Sequence, residues 1–498
     1  MSNLFSNLNT KTVQTVHYTY TYEQNEIFKY IIEGKEPVVS ILATAGSSKS
    51  SSIIEATRQV LAIHPDLKIR YLIYGSMASI EARKAFGATA IVSTIHSYAY
   101  HHTIKPYNLS TTVLPFLTWM NIPKAIKRPF GIDSIALEYV DNYCNSKYLS
   151  FSDYLLEIKD DEEFNKRAYE LAAVLLDEMA EGKMPITHSF YLKFFHIKVM
   201  NGEIQLEAMD KLYLDEAQDS SSIMLDIFDM IPAKQKVLVG DRNQKIFAFL
   251  NLEDGFLRHP KAKILELNKS FRVDQSYAPA INSFMKNYLN STSEFIGMDY
   301  KEKNEVTKAY LCRNNSSLIA KMIELNKIGT PYHLATSSKI KQMFKFPLAV
   351  IYAKPGFQQR DPELKYLQNS IDNWGRKHPK KEVSLHAYLL KEDMVLPQIK
   401  QAITLSNTFE SDLIIKAFNE AGKHQKTKCD LNLLTVHASK GGSWDVVKLD
   451  DDINKAAVKV MVIPEHLRTE DDISELNTLF VSVTRHRFRL INAKFLGL

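Results

Sequence analysis

The stretch Ile41–Ile54, ILATAGSSKSSSII, sets Lys49 and Ser50 where an apolar strand pattern gives way to a helical one. At such a junction the backbone N–H groups and the helix dipole attract phosphates. A lysine there bridges the terminal phosphates, and a hydroxyl holds magnesium. Ala45, Gly46, Ser47 and Ser48 would form the cradle. Against the pattern G-x-x-x-x-G-K-[ST] two letters differ: Ala43 replaces the first glycine and Ser48 the second. Ser48 is the consequential change, because glycine at that point reaches backbone angles that other residues adopt only at a cost. A serine-rich turn from strand to helix, with no ligand, is the plainer alternative.

A second stretch, LYLDEAQDS from Leu212 to Ser220, ends an apolar run on Asp215 and Glu216. Adjacent carboxylates at the C-terminal end of a strand suit a nucleotide hydrolase, one on the magnesium shell and one polarising water. Acidic pairs also occur as solvated turns, so the pair alone decides little.

These residues must be positioned by a fold, and the rest of the chain limits which one. Its 498 residues allow two to four domains with full cores. Apolar residues make up 45% and charged residues 24%, with no run of the roughly 18 consecutive apolar residues that a membrane helix needs. The N-terminus has no secretory pattern, so a cytoplasmic place is expected, either associated with the nucleoid or, for a viral protein, in the host cytoplasm, and no membrane partner. Cys144, Cys312 and Cys429 are too far apart for a zinc site and odd in number for a disulfide framework. A net charge of +5 is compatible with a polyanion but does not argue for one.

Short β-branched runs alternate with helical patterns. EPVVSILA (36–43), KIRYLIYG (68–75), TAIVSTIH (89–96), KLYLDEAQD (211–219) and KQKVLVGD (234–241) read as buried parallel strands. They predict an α/β core over 1–100 and 186–258, interrupted by a helical, acidic insertion over 101–185. A second set of strands is expected from AKILELNKSF (262–271), TKAYLCRN (307–314), LNLLTVHAS (431–439), DVVKL (445–449), AVKVMVIP (457–464) and NTLFVSVT (477–484). This gives a second core over 259–344 and 429–498, separated by a second insertion over 345–428.

LDEAQD is followed by VLVGDRNQKIFAF and then LNKSFR. With YEQNEIF, VSTIHSYAY, LLTVHASKGGSWDVVKLDDD and ELNTLFVSVTRHRFRL in order along the chain, the series resembles superfamily 1 DNA helicases of the UvrD/Rep type. The wording of TIHSYAY and KGGSWDVVKLDDD is most similar to the F-box DNA helicase branch. The resemblance covers both predicted cores and neither insertion. It implies two RecA-like parallel-sheet cores with ATP and Mg2+ in the cleft between them. The implied activity is ATP-dependent, 3′ to 5′ tracking on single-stranded or forked DNA, in replication, recombination or repair, by a monomer that also meets replication or recombination proteins.

The resemblance also assigns roles. Gln24 reads adenine, Phe271 stacks on the base, and Arg272 reaches the γ-phosphate. Lys49 and Ser50 take the phosphate and the metal, with Asp215 as metal partner and Glu216 as catalytic base. Gln244 senses the γ-phosphate, and Arg485 supplies an arginine finger. On the DNA side Thr94, His96, Thr435 and His437 contact the strand, and Phe247 and Phe249 offer stacking faces. Outside the motif order, alternating aromatics after a strand are ordinarily core.

Besides Ser48, three departures bear on activity. Gly442 and Ser443 stand where the family has Leu-Glu, Leu250-Asn251 follow Phe249 in place of Arg-Gly-Ala, and Gly75-Ser76 lose polar DNA-contacting groups. They keep open a second reading, a catalytically weakened helicase-like protein that binds nucleic acid and acts through partners. A P-loop kinase is disfavoured, since it has no use for TIHS, VGDRNQ and VTRHR together.

Overall fold

The computed structural model describes residues 19–118, 121–128, 130–158, 163–246, 254–301, 303–335, 340–352 and 397–498. Phe247, Phe249, Leu250 and Asn251 lie outside the described residues, as does 353–396 of the second expected insertion. Among the described residues no helix is long and apolar enough to cross a membrane.

The first half contains β1 (Val38–Ala43), β2 (Ile69–Ile73), β3 (Ile91–Thr94), the short pair β4 (Val113–Leu114) and β5 (Ile186–Thr187), β6 (Met209–Asp215), β7 (Ala233–Gly240) and β8 (Lys263–Leu267). Six of these form one parallel sheet in the order β3-β2-β6-β7-β1-β8. Their apolar runs are continuous because both faces are covered, and the alternation is visible in what each residue touches. Leu72, Leu212, Leu214 and Leu238 pack into the helices of the 101–185 region, whereas Tyr71, Tyr213, Val237 and Val239 pack against the helices on the other face. The helical insertion therefore shares its core with the first sheet, through Ala136, Val140, Leu171 and Leu175.

The second half contains β9 (Lys269–Asp274), β10 (Ile296–Met298), β11 (Lys308–Cys312), β12 (His333–Leu334), β13 (Leu431–Thr435), β14 (Trp444–Leu449) and β15 (His486–Ile491). β12-β13-β11-β14-β15 form a second all-parallel sheet. The expectation of two parallel-sheet α/β cores of RecA type holds. Helices Pro397–Thr408 and Ser411–His424, from the expected second insertion, pack with helix Asn315–Lys327 through Leu405, Ile414, Ala417 and Ala421.

Three expectations are corrected. The run 263–267 belongs to the first sheet, where Ile41 pairs with Leu265, so the passage between cores falls at Asn268 and not at 258–259. Every described strand of the first large sheet precedes Asn268, and every described strand of the second follows it. The runs 457–464 and 477–484 fall largely in helices Asp451–Met461 and Glu470–Val483. Asp450 caps the first of these helices, and a capping box of Thr469 and Asp472 starts the second, so end chemistry and 3.6-residue spacing override β-branched content.

Candidate active site

The loop after β1 runs from Thr44 into helix Lys49–Ile63. Gly46 takes φ +77°, and a Cβ there would lie 2.7 Å from Arg272 Cβ and 2.8 Å from Ser270 Oγ, so glycine is required by backbone and by space. Its carbonyl accepts from the Phe271 N–H at 2.8 Å, which ties the loop to β9. Ser48 occupies the left-handed region at φ 61°, ψ 35°, the conformation for which the usual glycine is suited, and its side chain makes no cap bond. The Ser48 carbonyl accepts from the N–H of Ser52 at 2.9 Å and from its hydroxyl at 3.0 Å, fixing the first helical turn. That turn leaves its leading N–H groups directed at the loop.

Lys49 and Ser50 project onto the ends of β6. The Lys49 ammonium lies 3.2 Å from one Glu216 carboxylate oxygen and 3.3 Å from the other. Ser50 Oγ donates to Asp215 Oδ2 at 2.8 Å. Tyr71 OH, from the centre of β2, donates to the same Asp215 oxygen. The other Asp215 oxygen accepts from the Glu216 N–H at 2.9 Å, and Gln218 Nε2 donates to Glu216 at 2.5 Å. Burial pulls the Lys49 ammonium down, but Glu216, Asp215 and Asp241 together hold it above its ordinary value. Burial pushes Glu216 up, yet Lys49 and Lys440 win and lower it to about 2, whereas burial and the Glu216 charge raise Asp215.

From the second core, Arg485 reaches the same place. It is fully buried and donates to the Val481 carbonyl at 3.0 Å, to Thr484 Oγ1 at 3.0 Å and to Gln244 Oε1 at 3.4 Å. Gln244 in turn donates to Asp241 at 2.6 Å. Arg272 Nη1 donates to the Thr484 carbonyl at 3.4 Å. Burial and the Arg272 guanidinium push Arg485 well below the usual arginine range. Among the described residues neither arginine has a carboxylate in ion-pair contact. Gly46, Ser47, Ser48, Lys49, Ser50, Glu216, Gln244, Arg272 and Arg485 line a single cleft of about 240 Å³.

Three cations facing one carboxylate in a polar cleft fit a polyanion. Ser50 beside Asp215 fits a magnesium ion, which takes one or two protein oxygens and completes its shell with phosphate and water. Among the described residues no cluster of three His, Cys, Asp or Glu offers a cage for another metal.

Other expected residues lie apart from the cleft lining. Ala45 is buried in the core of the second half. Gln24 spends its amide in the capping box of helix Tyr22–Glu33, accepting from the Thr21 N–H at 3.0 Å, and on Ser52 Oγ at 3.0 Å. Thr94 Oγ1 caps helix Ile95–Thr103 through the Ser97 N–H at 2.9 Å. His96 packs edge-on to His188 and Tyr191, and burial, reinforced by His188, lowers it to about 4. Thr435 Oγ1 accepts from the Ala438 N–H at 3.3 Å. His437 Nε2 meets the Ile246 carbonyl at 3.2 Å, across the boundary between the cores. Ser443 Oγ accepts from Arg487 at 3.2 Å.

Sequence reasoning gave no role to Tyr71, Asp219, Asp241, Lys440 or Asn477. Lys440 bonds Asp219 and the Gln244 carbonyl, the latter at 2.8 Å, and Asn477 Nδ2 donates to the Lys245 carbonyl at 2.9 Å. With His437 on Ile246, three successive carbonyls after β7 each meet a side chain of the second core. Asp219, Asp241 and Lys440 sit inside the quoted motifs and were open to notice there; Tyr71 carried no signal.

A family model described as an AAA domain matches residues 24–250. The chain is 22% identical over 520 aligned positions to F-box DNA helicase 1 of Gallus gallus and 23% identical over 526 to F-box DNA helicase protein 1 of Schizosaccharomyces pombe. These matches cover 96% and 95% of the chain. The chain is thus similar over nearly its whole length to the F-box DNA helicases, and its first half carries the AAA-domain match. The AAA match spans the loop, Asp215, Glu216 and Gln244, and the longer similarity extends over most of the rest of the chain. The chain spans 49% and 57% of the lengths of these two relatives.

Proposed function

We propose that this F-box-helicase-like chain is a DNA-dependent ATPase that moves along single-stranded DNA, 3′ to 5′, and separates strands. The observation that carries this reading is the convergence of Lys49, Arg272, Gln244 and Arg485, from both cores, on one cleft. Bound magnesium ATP would supply the phosphoryl group to be transferred, with Ser50 and Asp215 holding the ion. Lys49, on moving from Glu216 to a phosphate, leaves that carboxylate without its strongest counter-charge. Glu216 then becomes a better base for a water proton. Arg485 and Arg272 neutralise the charge that develops on the transferred group, and water exclusion strengthens them. Because these groups come from two bodies, nucleotide turnover is coupled to how the cores sit on each other.

Stacking on Phe247 and Phe249 and contacts from Thr94, His96, Thr435 and His437 would hold the strand without reading its sequence. Cytoplasmic or nuclear action in replication or repair follows from the same reading. Serine in a left-handed turn at Ser48, and His437 engaged on Ile246, favour as a second reading a binding protein with weak turnover.

The test is ATP hydrolysis by the purified chain with and without single-stranded DNA, beside Lys49→Ala, and unwinding of duplexes with 3′ or 5′ tails. Expected are DNA-stimulated hydrolysis, lost at least a hundredfold in Lys49→Ala, and unwinding of the 3′-tailed duplex only. Hydrolysis no higher than the Lys49→Ala background, with DNA binding intact, would sink the motor and leave the binding protein.

A further inference from the structure

Tyr71 is a fully buried tyrosine whose hydroxyl ends on the carboxylate beside the phosphate loop. Its ring is wedged by Phe86, with centroids 4.6 Å apart, and meets Tyr213 edge-on at 6.4 Å, so the hydroxyl has one direction in which to point. Register fixes the rest: on neighbouring strands Tyr71 lies opposite Tyr213, and Ile73 opposite Asp215, which brings the long tyrosine up under the end of β6. Asp215 thereby accepts from Ser50, Tyr71 and the Glu216 N–H, and both its oxygens are engaged.

We propose that Tyr71 is a positioning residue for the magnesium site. Its hydroxyl is a donor to the Asp215 carboxylate that has no part in the metal's own shell, and it holds that carboxylate in one rotamer while the Ser50 oxygen serves the ion. The inference rests on the nucleotide reading above. Ser50 sits in the first turn of helix Lys49–Ile63, and while it donates to Asp215 its oxygen keeps lone pairs for an ion, so it is committed to the metal as well as to the carboxylate. Tyr71 lies mid-strand in β2, paired on both sides by β3 and β6 and fully buried, and has no reason to move. A carboxylate steadied by a fixed donor loses less freedom on binding the ion, and outer partners of this kind typically contribute tenfold to a hundredfold in metal affinity.

The experiment titrates Mg2+ against the full chain at a fixed concentration of a fluorescent ADP analogue, reading bound nucleotide, with a parallel measurement in EDTA. Tyr71→Phe keeps the ring and removes the donor. Its half-saturating Mg2+ is expected to rise about tenfold, with nucleotide affinity in EDTA unchanged. A midpoint within twofold of the parent would overturn the proposal and leave the nucleotide reading standing. Tyr71→His against Tyr71→Met compares a ring donor with a side chain of similar size that has none, and carries the test if the phenylalanine chain does not fold. The histidine variant is expected to need several-fold less Mg2+ than the methionine variant, and equal midpoints reject the role. If the parent itself binds no nucleotide at any Mg2+ concentration, the nucleotide reading fails and Tyr71 falls with it.

Discussion

Ser48 is where sequence and conformation disagree most openly. A side chain in the left-handed region costs about 1–2 kcal/mol, while glycine costs about 0.5–1 kcal/mol of extra chain entropy on folding. Ser48→Gly is therefore expected to leave the melting temperature nearly unchanged and to raise nucleotide affinity and turnover several-fold, checked by equilibrium binding and steady-state hydrolysis. Slower turnover would mean that the Ser48 hydroxyl serves the phosphates itself. His486 makes a second prediction at this scale. It is fully buried against Tyr277, with Nδ1 2.8 Å from the Val483 carbonyl, and burial lowers it from 6.5 to about 4. Its neutral form is the one the fold accepts, so its contribution is whole above pH 6.5 and is lost as pH falls toward 4. At pH 5 that loss is about 2 kcal/mol. Melting curves at pH 7 and pH 5 should show a marked drop, and His486→Gln a smaller one.

At the scale of elements, β7 ends on Gly240, where an added Cβ would meet Gln218 Oε1 at 2.0 Å and the Ala217 N–H at 3.1 Å. Gly240→Ala must therefore push the turn after Glu216 away from β7, and the Gln218 bond to Glu216 goes with it. Expected are a destabilisation of about 1–3 kcal/mol by chemical denaturation and a fall in hydrolysis larger than any fall in nucleotide binding. Unaltered hydrolysis would show the turn to be slack. The same elements mark how far the sequence could be read. Strands buried on both faces declare themselves by continuous β-branched runs, which is why β1, β2, β3, β6, β7, β11, β13 and β14 were legible. Helices Asp451–Met461 and Glu470–Val483 were misread from Val-rich composition, although Leu476, Leu479, Phe480 and Val483 already had helical spacing. The loop, Asp215 and Glu216 were legible because the chemistry needs those letters locally. Tyr71 was not, because its partner lies 144 positions away and only strand register joins them.

At the scale of the molecule, the carbonyls of Gln244, Lys245 and Ile246 link the segment after β7 to the second core through Lys440, Asn477 and His437. Asn477 is buried, and its removal strands one carbonyl at a cost of about 1 kcal/mol. Asn477→Ala is expected to lower the stimulation of ATP hydrolysis by single-stranded DNA at least threefold while basal hydrolysis stays within twofold. Full stimulation would mean that the contact only holds the cores in place. No alternation of strand and helix could have revealed this seam, since each of its side chains is ordinary in its own element. The passage at Asn268 has a different consequence, one that belongs to synthesis. Because the first sheet is closed by β8 before that residue, all its described strands have left the ribosome while β11–β15 are still to be made. The first half can then pair its strands in order, as multidomain chains generally fold. The rim of the cleft that holds Lys49, with Arg272 just behind it in the chain, is complete before Arg485 arrives to face it.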